Sequence, residues 1–209
     1  MLIGEWENDY MDNFGEHFNT KGLEYRGGWK KTKYQGWGVL DVADYCNYEG
    51  QFEEGKKAGK GHSVFINGDT FDGQYVNDVM CGQGKYSWKS QSKSYDGQWL
   101  NDTMNGFGVM NMGDGSLFSG NFLRGLRHGA CEWKWRDGRK WEGEYFKGVK
   151  QDEGHTVLVS GKRQKGNRGA RQNSIFESTT SRINTLGDRV NNWRVSLIPT
   201  SKRSVPLFN

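Results

Sequence analysis

Residues 48–52 read Tyr48-Glu49-Gly50-Gln51-Phe52, and this short pattern predicts a β-strand with one buried face. Apolar and polar side chains alternate, which is the period of two typical of such a strand. The two aromatic residues and the glycine share one face, while the acid and the amide point to water. A glycine weakens a strand, but here we expect it to leave a flat recess where a ring from a neighbouring strand can stack.

The same pattern recurs seven times at steps of 23 or 24 residues. The seven first residues are Leu2, Tyr25, Tyr48, Phe71, Tyr95, Phe118 and Trp141. Glycine follows two positions later and an aromatic residue four positions later in every unit. This repeat framework includes Gly27, Trp29, Gly50, Phe52, Gly73, Tyr75, Gly97, Trp99, Gly120, Phe122, Gly143 and Tyr145. A fixed period in this range indicates a repeat architecture.

Each unit also holds a second strand. In the fourth unit a turn at Asn77-Asp78 follows the first strand, and the glycine pair Gly82 and Gly84 precedes a second alternating segment, 85–88. A second turn then leads into the next unit. The chain is therefore predicted to be all-β: an elongated, twisted antiparallel ribbon of repeated β-hairpins, followed by a basic C-terminal tail.

Three positions depart from the glycine pair. Asn13 and Asp152 replace the first glycine of the pair in the first and seventh units, and Cys131 replaces the second glycine in the sixth. The end units of a stacked array often diverge because one side has no neighbouring unit.

The unit that starts at Tyr48 resembles the MORN (membrane occupation and recognition nexus) motif. After 48–52 it continues with Gly55-Lys56-Lys57, Gly59-Lys60-Gly61 and Asn67-Gly68-Asp69. The resemblance covers residues 2–163 in seven units and does not extend into the tail, 164–209. It implies a rod-like or gently curved hairpin array that acts as a scaffold. Related proteins occur in cytoskeletal and ciliary assemblies, in junctional membrane tethers, and as modules on phosphoinositide kinases and lysine methyltransferases.

Charge divides the chain in two. Residues 1–154 hold 19 Lys/Arg against 23 Asp/Glu, whereas residues 155–209 hold 10 against 2. Such asymmetry indicates a tail that docks on an anionic partner or surface. The candidate contacts are Lys162, Arg163, Lys165, Arg168, Arg171 and Trp193.

The tail also contains a helical pattern, at about 178–197. Its apolar residues recur at steps of three and four: Ile183, Leu186, Val190, Trp193 and Leu197. This stripe predicts a short amphipathic helix. Three roles stay open for it: covering the last strand of the array, docking into a groove of a partner, or lying on an anionic membrane surface.

Catalytic, cofactor and metal sites are not predicted. The segment 161–166 lacks the Lys-Ser/Thr ending of a phosphate loop, and His128 and Cys131 lack the second ligand pair that a zinc site needs. Nucleic acid is an unfavoured partner, because the aromatic residues lie in the acidic array and the basic residues lie mostly outside it. Three cysteines and no leader-like or membrane-spanning apolar run predict a cytoplasmic protein.

The sequence thus predicts a non-enzymatic scaffold or adaptor that binds other proteins of a multi-subunit assembly. The resemblance adds the cytoskeleton or the cilium/flagellum and its axoneme as expected locations. Two alternatives remain: a peripheral membrane adaptor for anionic phospholipid, and a regulatory subunit of a lipid kinase. Open strand edges also allow homo-oligomers.

Overall fold

The computed structural model describes residues 1–165, which form one antiparallel sheet of fifteen strands. The strands are β1 (Leu2–Glu7), β2 (Tyr10–Phe18), β3 (Leu23–Lys30), β4 (Lys33–Val42), β5 (Cys46–Glu53), β6 (Lys56–Phe65), β7 (Thr70–Val76), β8 (Val79–Trp88), β9 (Lys93–Leu100), β10 (Thr103–Asn111), β11 (Leu117–Leu123), β12 (Leu126–Lys134), β13 (Lys140–Phe146), β14 (Val149–Val157) and β15 (Arg163–Lys165). Within this part of the chain the only helical element is a single 3₁₀ turn, Lys89–Gln91.

Every strand pairs with the strands before and after it in the chain, so the sheet is an open meander with β1 and β15 at its edges. Strands β1 to β14 form seven hairpins, numbered 1 to 7 here, and each holds one sequence unit. The predicted all-β array of hairpins is confirmed.

Tight turns close the hairpins. In hairpin 4, Asn77 and Asp78 have φ of 50° and 71°, and in hairpin 5, Asn101 and Asp102 have φ of 48° and 60°. Positive φ at both central residues is the requirement of a type I′ turn, whose twist matches that of the flanking strands. Asn and Asp tolerate this backbone region better than other residues with a side chain, which explains their choice here.

The two faces of the sheet differ. One face carries the first and fifth residues of each unit, and we call it the ring face; the opposite side is the outer face. Along β5 buried and exposed residues alternate without exception, and Tyr25, Tyr48, Phe71, Tyr95 and Phe118 are fully buried on the ring face.

A row of glycines crosses the ring face, one from each strand directly opposite the next. It consists of Gly4, Gly15, Gly27, Gly38, Gly50, Gly61, Gly73, Gly84, Gly97, Gly108, Gly120, Cys131, Gly143 and Gly154. Only Cys131 interrupts it with a side chain.

The first ring of each unit lies on this row. A Cβ added to Gly61 would stand 2.4 Å from Tyr48 Cε2, and one added to Gly50 would stand 2.6 Å from Tyr48 Cζ. The expectation that a ring from a neighbouring strand fills the recess is therefore wrong. Tyr48 precedes Gly50 by two residues on the same strand, and its side chain leans along that strand to cover its own glycine and the glycine opposite.

Ring contacts link each unit to the next. The Tyr48 ring packs edge-on against Phe52 of its own unit, with centroids 5.1 Å apart, and against Tyr75 of the next unit, 5.2 Å away. The same alternation continues from Trp29 to Trp141. Edge-to-face packing is favourable because the positive rim of one ring meets the negative face of another. The result is one continuous ring ladder.

Hydrogen bonds also connect consecutive hairpins. The Asp78 N–H donates to the carbonyl of Lys57 (3.0 Å), and the Lys57 N–H donates back to Asp78 Oδ1 (2.8 Å). Asp102 and Met80 repeat this exchange one unit later, at 3.1 and 2.7 Å. Each turn is thus tied to the hairpin before it.

Two of the three departures from the glycine pair, Asn13 and Cys131, have separate explanations. Asn13 adopts a φ of 63°, close to the 55° of Gly59 at the same position of the third unit, and asparagine is among the residues that tolerate this region. Cys131 has no positive φ, so the backbone there accepts a side chain without strain. That side chain occupies the position on the ring face where the other members of the row have none.

Candidate interaction surface

The predicted basic contacts that fall within residues 1–165 lie at one end of the sheet. Lys162, Arg163 and Lys165 are all exposed. The turn before β15 lies beside the turn between β12 and β13, because a Cβ added to Gly138 would stand 3.5 Å from Val159 Cγ2. The basic residues of the two turns therefore share one end of the sheet. We call this set the cationic corner: Lys134, Arg136, Arg139, Lys140, Lys162, Arg163 and Lys165.

Carboxylates pair with three of these seven cations. Arg139 binds Asp137 (2.7 Å), Lys140 binds Glu132 (2.8 Å) and Arg163 binds Glu142 (3.1 Å). The hydrogen bond from Lys140 to Glu132 raises the pKa of that ammonium group.

The remaining four, Lys134, Arg136, Lys162 and Lys165, make no ion pair with any residue of the described range 1–165. The corner is thus an exposed positive patch at neutral pH, suited to an anionic partner.

Sequence reasoning located only part of this patch. The other predicted contacts, Arg168, Arg171 and Trp193, lie outside the described residues, as does the predicted helix at 178–197. The four cations contributed by 134–140 were missed. The strand register could have revealed them, since Lys134 and Lys140 stand directly opposite each other. A pair of like charges at that spacing is unfavourable unless it has another role or partner.

A second surface, an apolar row, runs along the hairpin ends on the outer face. It comprises the residue after the fifth-position ring in hairpins 4 to 7 with its cross-strand neighbour, and all of these residues are apolar except Thr103, the neighbour of Leu100. Its exposed apolar members are Val76 (50%), Leu100 (48%), Leu123 (43%), Phe146 (55%) and Val149 (65%). The same positions in hairpins 2 and 3 carry the pairs Lys30–Lys33 and Glu53–Lys56. Sequence reasoning missed this row too, although its residues recur at the repeat period.

Larger rings are exposed on the same face. Trp37 is 56% exposed and Phe107 is 55% exposed; both lie between the paired glycines of their units, where Lys60 and Gln83 stand in hairpins 3 and 4. Exposed apolar side chains in such number commonly mark an interaction site.

The Cys131 thiol and the His128 imidazole, which the sequence offers as a possible metal-ligand pair, are held by burial and by a hydrogen bond. Burial raises the pKa of the Cys131 thiol to about 11, so the thiol stays protonated and weakly nucleophilic at neutral pH. His128 lies on the outer face, with its ring 5.4 Å from that of Phe146, and Nδ1 accepts the Lys147 N–H (3.3 Å). Residues 1–165 contain no group of three His, Cys, Asp or Glu side chains that could hold a metal ion.

Within residues 1–165 no helix has the length and apolar character needed to cross a bilayer.

Known proteins resemble this chain in its repeats. The model of the MORN repeat family matches four consecutive segments, residues 48–70, 71–93, 95–117 and 118–138. These segments coincide with the third to sixth units. No curated protein matches the chain.

Two solved structures from Drosophila melanogaster are similar. The TCP10c domain of Sas-4 is 10% identical with a TM-score of 0.33, over 74% of this chain and 99% of that chain. The SAS-4 TCP domain in complex with a proline-rich motif of Ana2 is 9% identical with a TM-score of 0.30, over 78% and 94%.

Proposed function

Because the chain belongs to the MORN repeat family, we propose that it is a non-enzymatic scaffold that binds proteins of a larger assembly through the outer face of its sheet. MORN repeats are generally protein- or membrane-interaction modules. The proposal extends the repeat count to seven, because hairpins 1, 2 and 7 share the glycine row with the four matched units.

The observation that carries the proposal is the difference in burial between the two faces of the sheet. In hairpins 2 to 7 the first- and fifth-position rings of the ring face are buried against one another, whereas in hairpin 1 the corresponding Leu2 and Trp6 are 36% and 54% exposed. The outer face exposes Trp37, Phe107 and the apolar row, whose solvent exposure costs free energy that partner binding would recover. A cytoskeletal, ciliary or axonemal assembly is the setting that the resemblance favours.

Detergent extraction of native cells tests the scaffold function. The protein is expected to stay with the insoluble cytoskeleton at moderate salt. The double variant Trp37→Ser/Phe107→Ser should move to the soluble fraction, whereas the control Lys60→Ser/Gln83→Ser, at the same positions of two other hairpins, should not. Release of the wild-type protein together with membrane lipids would refute the proposal.

A peripheral membrane adaptor is the second candidate, and the cationic corner favours it. Four unpaired cations on one surface suit the headgroups of anionic lipids. This candidate predicts salt-sensitive sedimentation with phosphatidylserine vesicles that Lys134→Glu/Lys162→Glu abolishes. Equal binding to neutral phosphatidylcholine vesicles, or none to either, would eliminate it.

A further inference from the structure

Strand β1 has a neighbouring strand on one side only. The Met1 ammonium donates to the Phe18 carbonyl (2.6 Å) and the Phe18 N–H donates to the Met1 carbonyl (2.9 Å), so Met1 turns its backbone groups toward β2. In an antiparallel pair these groups point to alternate sides along a strand. The N–H and C=O groups of Leu2, Gly4 and Trp6 therefore point away from β2, and no residue of the described range 1–165 pairs with them. Such a row of unpaired groups accepts an added strand.

The apolar side chains of β1 are uncovered as well. From hairpin 3 onward each fifth-position ring packs against the first ring of the preceding unit, as Tyr75 packs against Tyr48. Within residues 1–165 no unit precedes hairpin 1, and Trp6 is 54% exposed, whereas the fifth-position rings of hairpins 2 to 7 are all buried. Leu2, on the same face of β1, is 36% exposed. A strand added beside β1 would cover both residues if its own ring-face side chains were apolar.

Charge on hairpin 1 selects the rest of the strand's chemistry. Residues 1–20 hold five carboxylates and no Lys or Arg: Glu5, Glu7, Asp9, Asp12 and Glu16. Glu16 pairs with Arg26 of hairpin 2 (3.3 Å), and Asp12 Oδ1 accepts the Lys31 N–H (3.4 Å). The other three are exposed and make no ion pair with any residue of the described range. The Met1 ammonium is held by the Phe18 carbonyl.

Two of the three unpaired carboxylates lie on β1 itself. Glu5 and Glu7 flank Trp6 in the sequence, so by alternation they lie on the outer face while Trp6 lies on the ring face. Opposite charges directly across a strand pair are favourable. The complementary strand therefore carries Lys or Arg on its outer face and apolar residues on its ring face.

Other occupants fit this edge less well. A second copy paired through its own β1 would bring the carboxylates of the two copies together. A second copy paired through β15 would offer three exposed polar residues, of which Gln164 is on the ring face opposite Thr156, and these cannot cover Trp6. An anionic bilayer is repelled by the same carboxylates. A helix satisfies its own backbone groups and leaves those of the edge unpaired.

We propose that β1 binds a basic β-strand of a partner protein, which extends the sheet by one strand. The partner strand is about six residues long, the length of β1, and alternates basic with apolar residues. The inference rests on the proposed scaffold function and adds to it the edge of the sheet as a second surface and the chemistry of the partner there.

Site-specific crosslinking in native cells tests the inference. A photoreactive phenylalanine analogue replaces Trp6 in the full chain, and the control replaces Val64, an exposed outer-face valine far from the edge. Trp6 should give adducts to a segment of another protein in which basic and apolar residues alternate, and Val64 should not give them.

A synthetic peptide of the crosslinked segment then tests the strand pairing. The peptide should bind the wild-type chain. N-methylation of alternate residues removes the N–H groups along one edge of a strand, and two peptides methylated on opposite edges have the same composition. One of the two should lose binding and the other should keep it, because only one edge of the peptide faces β1.

Charge substitutions test the chemistry. Glu5→Lys/Glu7→Lys should weaken binding of the peptide ~10-fold or more at low salt. The control Asp96→Lys/Glu144→Lys makes the same change in net charge at exposed outer-face positions of hairpins 5 and 7 and should bind as wild type. An unchanged melting temperature shows that both variants are folded.

The remaining outcomes overturn the inference. They are adducts from Trp6 to lipid, to a second copy or to an acidic segment, the same adducts from both positions, no adducts, equal binding of the two methylated peptides, or equal loss in the two charge variants. The scaffold function survives these outcomes if the wild-type chain still stays with the insoluble assembly, and it fails separately if the chain is released.

Discussion

Hairpins 3 and 5 are alike on one face of the sheet and opposite on the other. Their first rings, Tyr48 and Tyr95, are both completely buried. The residue after the fifth-position ring is Glu53 in hairpin 3 and Leu100 in hairpin 5, and both are exposed. The same backbone thus accepts opposite chemistry on the outer face, so packing does not constrain the differences between units there.

Ring-face positions lack this freedom because each ring serves two units. Tyr48 contacts Phe52 in its own unit and Tyr75 in the next, and it covers two glycines. A change there alters the interface between hairpins, and in a linear array those interfaces supply much of the stability. The comparison therefore predicts large effects from ring-face changes and small effects from outer-face changes.

High pH should produce the largest effect, by ionising the ring face. Burial raises the pKa of the Tyr25, Tyr48, Tyr75 and Tyr95 hydroxyls far above their ordinary value, and that of Tyr34 to about 12. Since the unfolded chain ionises its tyrosines near pH 10, it holds fewer protons than the folded chain above that pH. Folding stability is fully present below about pH 10 and is lost as the pH rises toward the folded values.

A pH titration checks this expectation. Far-ultraviolet circular dichroism and tyrosinate absorbance should change together in one step between about pH 10 and pH 12. Tyrosinate formation that is complete while the strand signal persists would show that the ring-face hydroxyls are accessible, and would contradict the burial on which the comparison rests.

Gly97→Val should also have a large effect. A Cβ on Gly97 would stand 2.5 Å from the Gly108 Cα and 2.6 Å from Tyr95 Oη. Overpacking costs about 1–3 kcal/mol, and we expect the upper end because backbone atoms block the new side chain. Thermal unfolding should shift down by roughly 5–10 °C.

The matched control is Asp96→Val, one residue earlier on the outer face of the same strand. It should change the free energy of unfolding by about 0.5 kcal/mol or less. Equal losses in the two variants would mean that the added valine acts through the strand backbone and that the two faces do not differ.

Much of this fold was predictable because period-2 alternation and a fixed repeat report local geometry. Alternation assigns Tyr48 and Gly50 to one face, but it does not determine the direction in which the Tyr48 side chain leans, and the predicted ring recess was wrong for that reason.

The surfaces were less predictable because they depend on register. Lys134 and Lys162 share a corner only because two turns separated by a full repeat lie side by side, and Leu100 and Leu123 align only when units are superposed. Counting charged residues over long stretches of sequence places such residues in different groups, although the fold brings them together.

Tyr48→Phe should have a moderate effect. The Tyr48 hydroxyl donates to the Gln51 carbonyl (2.9 Å), while Phe71 occupies the same repeat position without a hydroxyl. The ring ladder stays intact, so the loss is that of one hydrogen bond, about 0.5–1.5 kcal/mol. Urea unfolding with an unchanged m-value measures it. A loss as large as that of Gly97→Val would show that the hydroxyl, and not the ring, holds the glycine row.

The smallest effect is expected for Trp37→Ala, with Trp29→Ala as its reference in the same hairpin. Trp29 is 5% exposed and its ring stands 5.4 Å from that of Tyr25, whereas Trp37 is 56% exposed. Removal of the buried ring should cost about 3–5 kcal/mol, and removal of the exposed ring about 0.5 kcal/mol or less.

Urea unfolding of both variants therefore measures how stability depends on the face of the sheet, because both substitutions remove the same residue type from the same hairpin. Detergent extraction should give the reverse order: Trp37→Ala should be released from the insoluble assembly while keeping wild-type stability. If Trp37→Ala is as unstable as Trp29→Ala, the outer face contributes to folding and its chemistry is not free to vary. If it is stable and fully retained, Trp37 is an incidental surface residue, and partner binding must then depend on Phe107, the apolar row or the cationic corner.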